Sequence, residues 1–391
     1  MRYLIWNECY VAGGADWSLI DLISLWPDKD DRFTLYINRT HEGLPLLRDK
    51  MPGTVEIREF TTFLEMAAET LAKYPALKFA PFRKLVMVWK IAVNYGQLKR
   101  TLAGLDYDAV LFNNGGYPGA LTSYMVSTIA RKKGVGKLVM IVRNYPPYHF
   151  SKILVMRAVR RICNRTMDRI ITVSDSLKQA MVECSGIDEA LLTTIHNGVS
   201  LDNKTADQAA TFVPGYSVGI VGTLQARKGH RVLFEAWANV HARFPQAKLY
   251  VVGSPKSGDK EGLVRYAESL AISDAVVWID FTSDIGAIYQ ALDVIVTPSL
   301  EFESFGRTLV EAMAFSKPAV ASKIGGMVEL IDNGVDGFLV DRNDPEALAE
   351  RICRLLGSEA TRKEMGKAGH AKYLRSFTAD AMARKYHELF N

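Results

Sequence analysis

The stretch that most limits what this chain can become runs from Val294 to Gly326, VIVTPSLEFESFGRTLVEAMAFSKPAVASKIGG. Val294-Ile295-Val296 is a short apolar run ended by Thr297-Pro298 and reads as a buried strand. A polar, acidic loop follows from Ser299 to Ser304. From Phe305 the pattern turns helical: Leu309, Val310, Ala312 and Met313 share one face, and Arg307 and Glu311 stand four apart on another. Ser316 and Pro318 stop the helix, and Ala319-Val320-Ala321 starts the next strand. The loop therefore lies at the carboxyl end of its strand, where open α/β sheets bind ligands.

That position has a chemical consequence. A helix starting near Phe305 or Gly306 offers first amides with no backbone partner at the positive end of its dipole, which suits a pyrophosphate. Gly306 brings no side chain to keep an anion off the backbone. Glu303 in the loop and Glu311 inside the helix flank the anion, well placed for sugar and ribose hydroxyls. The plainer reading is a solvated helix start with acids favoured by the dipole.

Two further loops have the same character. Residues Gly222 to Gly229, GTLQARKG, follow an apolar run and open a helix; Arg227 and Lys228 there fit a diphosphate. Near the start, Val11 to Ala15, VAGGA, leads from the strand Tyr3–Trp6 into a helix. A Gly-Gly loop at a helix start is a weak anion cradle, and it is not the G-x-G-x-x-G of a dinucleotide oxidoreductase. Asp16 beside it is either an acceptor contact or a helix-start acid.

Glu303, seven residues, Glu311, within ESFGRTLVEAMA and followed by KPAVAS and GG, resembles the signature of the retaining GT-B glycosyltransferases that use nucleotide sugars, of the family 4, group 1 type. VSDSLKQAM, Gly186-Ile187 and HNGV extend the likeness into the family's interdomain hinge, so that it covers nearly the whole chain. The resemblance implies two Rossmann-like α/β domains facing across a cleft: residues 1–202 on the acceptor side, a linker at 203–214, a nucleotide-sugar domain at 215–375, and a last helix at 376–391 crossing back to the first domain. It assigns Glu303 and the amides of Ser304, Phe305, Gly306, Arg307 and Thr308 to the donor sugar and Glu311 to the ribose. It assigns Gly13, Gly14, Asn197, Gly222 and Thr223 to the donor, and Arg227, Lys228 and Arg143 to catalysis beside Glu303. Two positions depart from the family pattern. Arg143 stands where relatives commonly carry His, and it stays charged, so it clamps a phosphate rather than acting as a base. Thr223 stands where an Arg is usual, which leaves Arg227 and Lys228 to carry the positive charge. His149 either replaces the missing imidazole or is a surface residue, and Phe281 is a candidate for the border of the nucleobase.

Composition narrows the surroundings. The 391 residues, 48% hydrophobic and 23% charged, suit two folded domains. Four cysteines without paired or metal-ligand spacing point to reduced thiols in the cytoplasm. No apolar run approaches about 20 residues, so no spanning segment and no signal peptide are expected. The net charge of +5 is unevenly spread: between Thr70 and Met167 the only acids are Asp106 and Asp108. Within that span, Lys73 to Arg100 mixes bulky apolar and basic residues, fitting either a helix lying on an anionic bilayer or an internal helix with a solvated basic edge. Asp106-Tyr107-Asp108 precedes the strand Ala109–Phe112 and reads as a turn at strand entry rather than a metal site.

The expectation is therefore a retaining glycosyltransferase moving a sugar from a nucleotide sugar to a saccharide or lipid-linked acceptor. No metal or other cofactor and no nucleic acid is expected. The protein is expected in the cytoplasm, at or near the inner membrane face. The alternatives are a sugar-nucleotide epimerase of the same fold and a binder of nucleotide sugars without turnover.

Overall fold

The computed structural model describes residues 1–114, 117–146, 153–200, 212–253, 260–280 and 285–391. Most of the expected linker, His149 and Phe281 lie outside the described residues. The chain divides into two compact units, Met1–His196 with Met382–Asn391, and Asn197–Ala381.

The first unit is built on seven parallel strands: β1 (Arg2–Glu8), β2 (Arg32–Asn38), β3 (Val55–Phe60), β4 (Ala109–Asn114), β5 (Lys137–Val142), β6 (Arg169–Thr172) and β7 (Leu192–Thr194). They lie in the order β3-β2-β1-β4-β5-β6-β7. Leu4, Ile5 and Trp6 on β1 and Val139 to Val142 on β5 are buried in succession, as parallel strands covered on both faces must be. The strand order reverses on either side of β1, so the loops after β1 and β4 flank its switch point. The helix Ala379–Phe390 contributes to this unit: Phe390 meets Tyr3 edge-on at 5.1 Å, and Tyr386 is buried.

The second unit holds six parallel strands: β8 (Ser217–Val221), β9 (Lys248–Val252), β10 (Val276–Ile279), β11 (Val294–Thr297), β12 (Ala319–Ser322) and β13 (Gly337–Val340). Their order, β10-β9-β8-β11-β12-β13, reverses between β8 and β11. The loops after these two strands are Gly222–Gly229 and Pro298–Gly306, the two stretches singled out above. Trp237, Phe234, Leu249, Val251, Val294, Val296 and Ile352 fill the core beneath them.

Several expectations gain detail. The helix from Val294–Gly326 spans Arg307–Ala314, with Gly306 as its cap rather than its first residue. Gly306 has φ 112°, outside the helical region, which is why the helix starts one residue later. The tight turn expected at Asn197-Gly198 is not formed. Val199 instead accepts from Ala379 N and donates to Phe377 O in an extended pairing, so the chain runs straight through this point. Lys73 to Arg100 divides into the end of the helix Phe63–Lys73, a short 3-10 turn Pro75–Lys78 and the long helix Ala80–Ala103. Asp106 and Asp108 both pair with Arg2, at 2.7 and 3.8 Å, at the amino edge of β1 and β4. That is the edge opposite the switch-point loops. The four cysteines are free thiols.

Helix packing in the second unit requires one close approach. Gly366, in the helix Glu359–Ser376, lies so near the end of the helix Arg307–Ala314 that a Cβ there would fall 2.0 Å from the Ser316 carbonyl oxygen. Gly96, in Ala80–Ala103, has nothing within 4 Å of the same position. Gly366→Ala should therefore lower stability by about 1–3 kcal/mol as the helices are pushed apart. Gly96→Ala should raise it by up to about 1 kcal/mol through helix propensity. Thermal melts of the two variants should shift in opposite directions; equal shifts would mean that the packing at Gly366 yields freely.

Candidate functional site

In the second unit the chain turns after β8 through a 3-10 segment, Ala226–Lys228, and enters the helix His230–Arg243 at Gly229. Gly229 takes φ 74°, and a Cβ on it would fall 1.9 Å from the Pro298 carbonyl oxygen. Only glycine lets this loop lie against the end of β11. Leu300 N donates to Arg227 O at 2.8 Å and joins the two loops through their backbones.

Their side chains meet at one atom. Glu303 Oε1 accepts from Arg227 Nη1 at 3.2 Å, from Lys228 Nζ in a short ion pair, and from Ser299 Oγ at 3.0 Å. Arg227 is further oriented by Gln225, whose Oε1 accepts from Nε at 2.8 Å. The Glu303 backbone carbonyl accepts from Gly326 N at 2.8 Å, fixing the loop from the other side. Glu303 and Lys228 are largely shielded, with side chains 13% and 19% exposed, so their charges interact with little screening. The two cations and the acid expected at a diphosphate and its sugar are thus brought together, and the acid offsets one of the two positive charges.

Glu311 has its own support. It follows Arg307 by one helical turn, and Arg307 Nε donates to Glu311 Oε1 at 2.8 Å. The other oxygen, Oε2, accepts from the Tyr289 hydroxyl at 2.8 Å. Tyr289 comes from the helix Ile285–Ala291, and neither it nor Ser299 was assigned a role from sequence. The available signal was general: a tyrosine inside an apolar helix needs a partner for its hydroxyl. Glu303 and Glu311 do not share a partner among the described hydrogen bonds; each is anchored separately. Of the remaining expected donor residues in this unit, Gly222 N donates to Val252 O at 2.9 Å, and Thr223 O accepts from Gln225 N at 2.8 Å. Phe305 is buried against Phe377, their ring centroids 6.2 Å apart. Thr308 O lies 3.4 Å from the Tyr289 hydroxyl. A Cβ on Gly326 would crowd the Ser304 carbonyl oxygen at 2.7 Å. Asn197 opens the second unit, two residues before the extended pairing of Val199.

In the first unit the Gly13-Gly14 loop opens the helix Gly14–Ser24. The Gly13 amide, which the sequence offers to an anion, donates to Asp16 Oδ2 at 2.9 Å. Asp16 is buried, its Oδ1 lies 2.8 Å from His41 Nε2, and of the two readings the helix-start acid is the one its contacts match. Arg143, at the carboxyl end of β5, is also buried. It donates from Nε to Asn113 Oδ1 at 3.1 Å and from Nη1 to Ser18 Oγ at 3.0 Å; Asn113 in turn donates to Asn7 Oδ1 at 2.8 Å. Beside this network, Glu8 accepts from the Thr122 amide at 2.9 Å and from its hydroxyl. Burial pushes the Glu8 carboxyl up to about 7, against the Thr122 hydrogen bonds that favour its charged form. The carboxyl edge of the first sheet therefore carries several sets of buried, hydrogen-bonded polar side chains, which the sequence patterns do not announce.

With this geometry established, the chain can be set beside known proteins. Residues 12–203 match the family model described as Glycosyltransferase Family 4, and residues 204–372 the one described as Glycosyl transferases group 1. A D-inositol 3-phosphate glycosyltransferase of Mycolicibacterium smegmatis is 31% identical over 232 residues, 56% of this chain and 52% of the relative. The protein of the same description from Corynebacterium jeikeium is 32% identical over 254 residues, 59% of this chain and 60% of the relative. The match thus spans only about half the length of these curated relatives. Among solved structures, Anabaena HepE in complex with UDP superposes with a TM-score of 0.78 at 23% identity, covering 100% of this chain and 99% of its own. That likeness concerns the fold, which is GT-B with two Rossmann-like domains. By its two family models, its sheets and the residues gathered at their switch point, this chain belongs to the group 1 glycosyltransferases.

Proposed function

We propose that this protein transfers a sugar from a UDP- or GDP-linked donor to a saccharide or lipid-linked saccharide acceptor, with retention and without a metal ion, in surface polysaccharide or glycolipid synthesis. The observation that carries the reading is the convergence of Arg227 and Lys228 on Glu303 at a sheet switch point, next to the helix that bears Glu311. The family membership and the UDP bound to HepE support the nucleotide-sugar donor. In the transfer, the bond from the anomeric carbon to the diphosphate breaks and the diphosphate leaves with the electron pair. The acceptor hydroxyl oxygen bonds to the same carbon on the same face, and its proton passes to the departing diphosphate oxygen. Arg227, Lys228 and the first amides of Arg307–Ala314 meet the growing negative charge, an electrostatic task that these groups perform without a divalent ion. Glu303 holds the donor sugar and Glu311 the ribose.

The acceptor side is read from the first unit. No helix among the described residues is long and apolar enough to cross a membrane. Ala80–Ala103, however, exposes Phe82, Leu85, Val88 and Trp89 at helical spacing, between 50% and 66% accessible, on a stretch that also carries Arg83, Lys84 and Lys90 and no acid. An apolar face edged with cations fits the surface of an anionic bilayer and supports a peripheral position at the inner membrane face.

A panel of nucleotide sugars tests the reaction directly. Release of nucleotide, with retained product once an acceptor is supplied, is the expected outcome, and it should persist in EDTA. Glu303→Gln should reduce turnover by roughly 10²-fold or more while leaving nucleotide binding intact. Isomerised sugar, binding without release, or activity that returns only with manganese would each overturn part of the reading.

Replacing Arg227 and Lys228 together with Ala should weaken binding of the nucleoside diphosphate by roughly 3 kcal/mol or more and that of the nucleoside very little. Calorimetry on both ligands checks this, and equal losses would place the pair outside the site. For the membrane, liposome flotation at low salt should recover the wild type only with anionic lipid. Each basic residue near such a surface contributes about 1 kcal/mol. Arg83, Lys84 and Lys90 changed to Glu should therefore abolish flotation, and high salt should do the same. A variant that floats as well as wild type would remove the membrane from the proposal.

A further inference from the structure

Tyr289 is fully buried, and its ring stacks on Phe315 with centroids 5.7 Å apart and planes within 4°. A phenylalanine would fill that space equally well, so what tyrosine adds is its hydroxyl. That hydroxyl donates to Glu311 Oε2 at 2.8 Å, with Thr308 O a distant second acceptor at 3.4 Å. Burial first, and the Glu311 charge second, hold the phenol well above its ordinary range, so it keeps its proton and remains a donor.

The other Glu311 oxygen is held symmetrically. Arg307 Nε donates to Oε1 at 2.8 Å, from one helical turn earlier. An ionised carboxylate has about four lone-pair sites, two on each oxygen. The protein takes one on each side, and the two that remain belong to different oxygens of one planar group. The Glu311 side chain is 14% exposed, so part of it is open to solvent. A pair of acceptors fixed in one plane matches two neighbouring hydroxyls and is poorly used by one.

We propose that Tyr289 and Arg307 are positioning residues that lock the Glu311 carboxylate for two-point recognition of a vicinal diol, the 2′ and 3′ hydroxyls of the donor's ribose. The inference rests on the reading of Glu311 as the ribose ligand and adds what orients it. Without Tyr289 the carboxylate turns about its terminal bond, and the second hydroxyl loses its partner. Tyr289 itself touches no substrate.

The test compares UDP and GDP with their 2′,3′-dideoxy counterparts by calorimetry on the full chain. Wild type should prefer the ribose forms. In Tyr289→Phe that preference should fall by about tenfold, the scale of one hydrogen bond to a charged group. Affinity for the dideoxy forms should stay within about twofold, since only the diol contact is lost. Glu311→Gln should lose most of the preference. If Tyr289→Phe weakens ribose and dideoxy ligands equally, or leaves their ratio unchanged, the positioning role is overturned while Glu311 stands. If Glu311→Gln keeps the wild-type preference, or wild type shows none, the ribose assignment itself falls and the proposal with it. Should Tyr289→Phe fail to fold, Arg307→Met removes the other donor at a site nearer the surface. It must shift the same ratio, and an unchanged ratio there refutes the proposal.

Discussion

The second unit depends on three donors meeting one carboxylate oxygen. Arg227, Lys228 and Ser299 come from the two loops that flank the sheet's switch point, and Glu303 Oε1 is where they meet. Two cations placed together repel each other, and a loop holding them would splay apart without a counter-charge. Glu303 supplies it from the loop that follows the neighbouring strand, so the ion pairs couple the loop after β8 to the loop after β11. Because the acid is largely shielded, losing it would leave two charges poorly compensated, a costlier change than losing a surface pair. Under the proposed function, an incoming diphosphate would draw on the same donors as the Glu303 carboxylate. The cluster keeps one net positive charge and is already held together by its own ion pairs.

Backbone contacts make this possible. The approach of Gly229 to Pro298 brings the loops within hydrogen-bonding range, and Leu300 N to Arg227 O completes the joint. On the far side, Gly326 N holds the Glu303 carbonyl, so the acid's own backbone is tied at a third point. Glu311 follows a different logic. It lies on a helix, braced within that helix by Arg307 and from a neighbouring helix by Tyr289. One carboxylate is thus positioned by charge on loops and the other by a buried phenol and a helical ion pair. Mobility in one need not disturb the other.

The first unit presents a contrast. Its carboxyl edge is also polar, yet the groups there are joined to one another. Arg143 donates to Asn113 and Ser18, Asn113 to Asn7, and the Gly13 amide to Asp16. A charge as buried as Arg143 is tolerated only with such partners. Arg143 is therefore bound into a network of polar partners, and an arginine keeps its charge at neutral pH.

Local patterns were sufficient for the elements and for the neighbourhood of the site. Short apolar runs marked the strands at Tyr3–Trp6, Ala109–Phe112, Val294–Val296 and Ala319–Ala321, because parallel strands are buried on both faces and cannot alternate. The spacing of Glu303 and Glu311, and the cations at 227 and 228, were visible because each lies within one short segment. What only the tertiary structure decided is which distant groups meet. Glu303 and Lys228 are 75 residues apart, and Tyr289 and Glu311 are 22 apart. No local periodicity encodes those distances, since they depend on strand order and on loops that approach through a glycine. The extended path at Asn197-Gly198 and the inward turn of the Gly13 amide were hidden for the same reason: the partners that override the local preference, Phe377 and Ala379 in one case and a buried Asp16 beside His41 in the other, are set by packing. Sequence alone thus determined the sheets, their loops and the chemistry those loops can hold, and the fold decided how each charge is paired, because pairing is a property of contacts between segments rather than of any one segment.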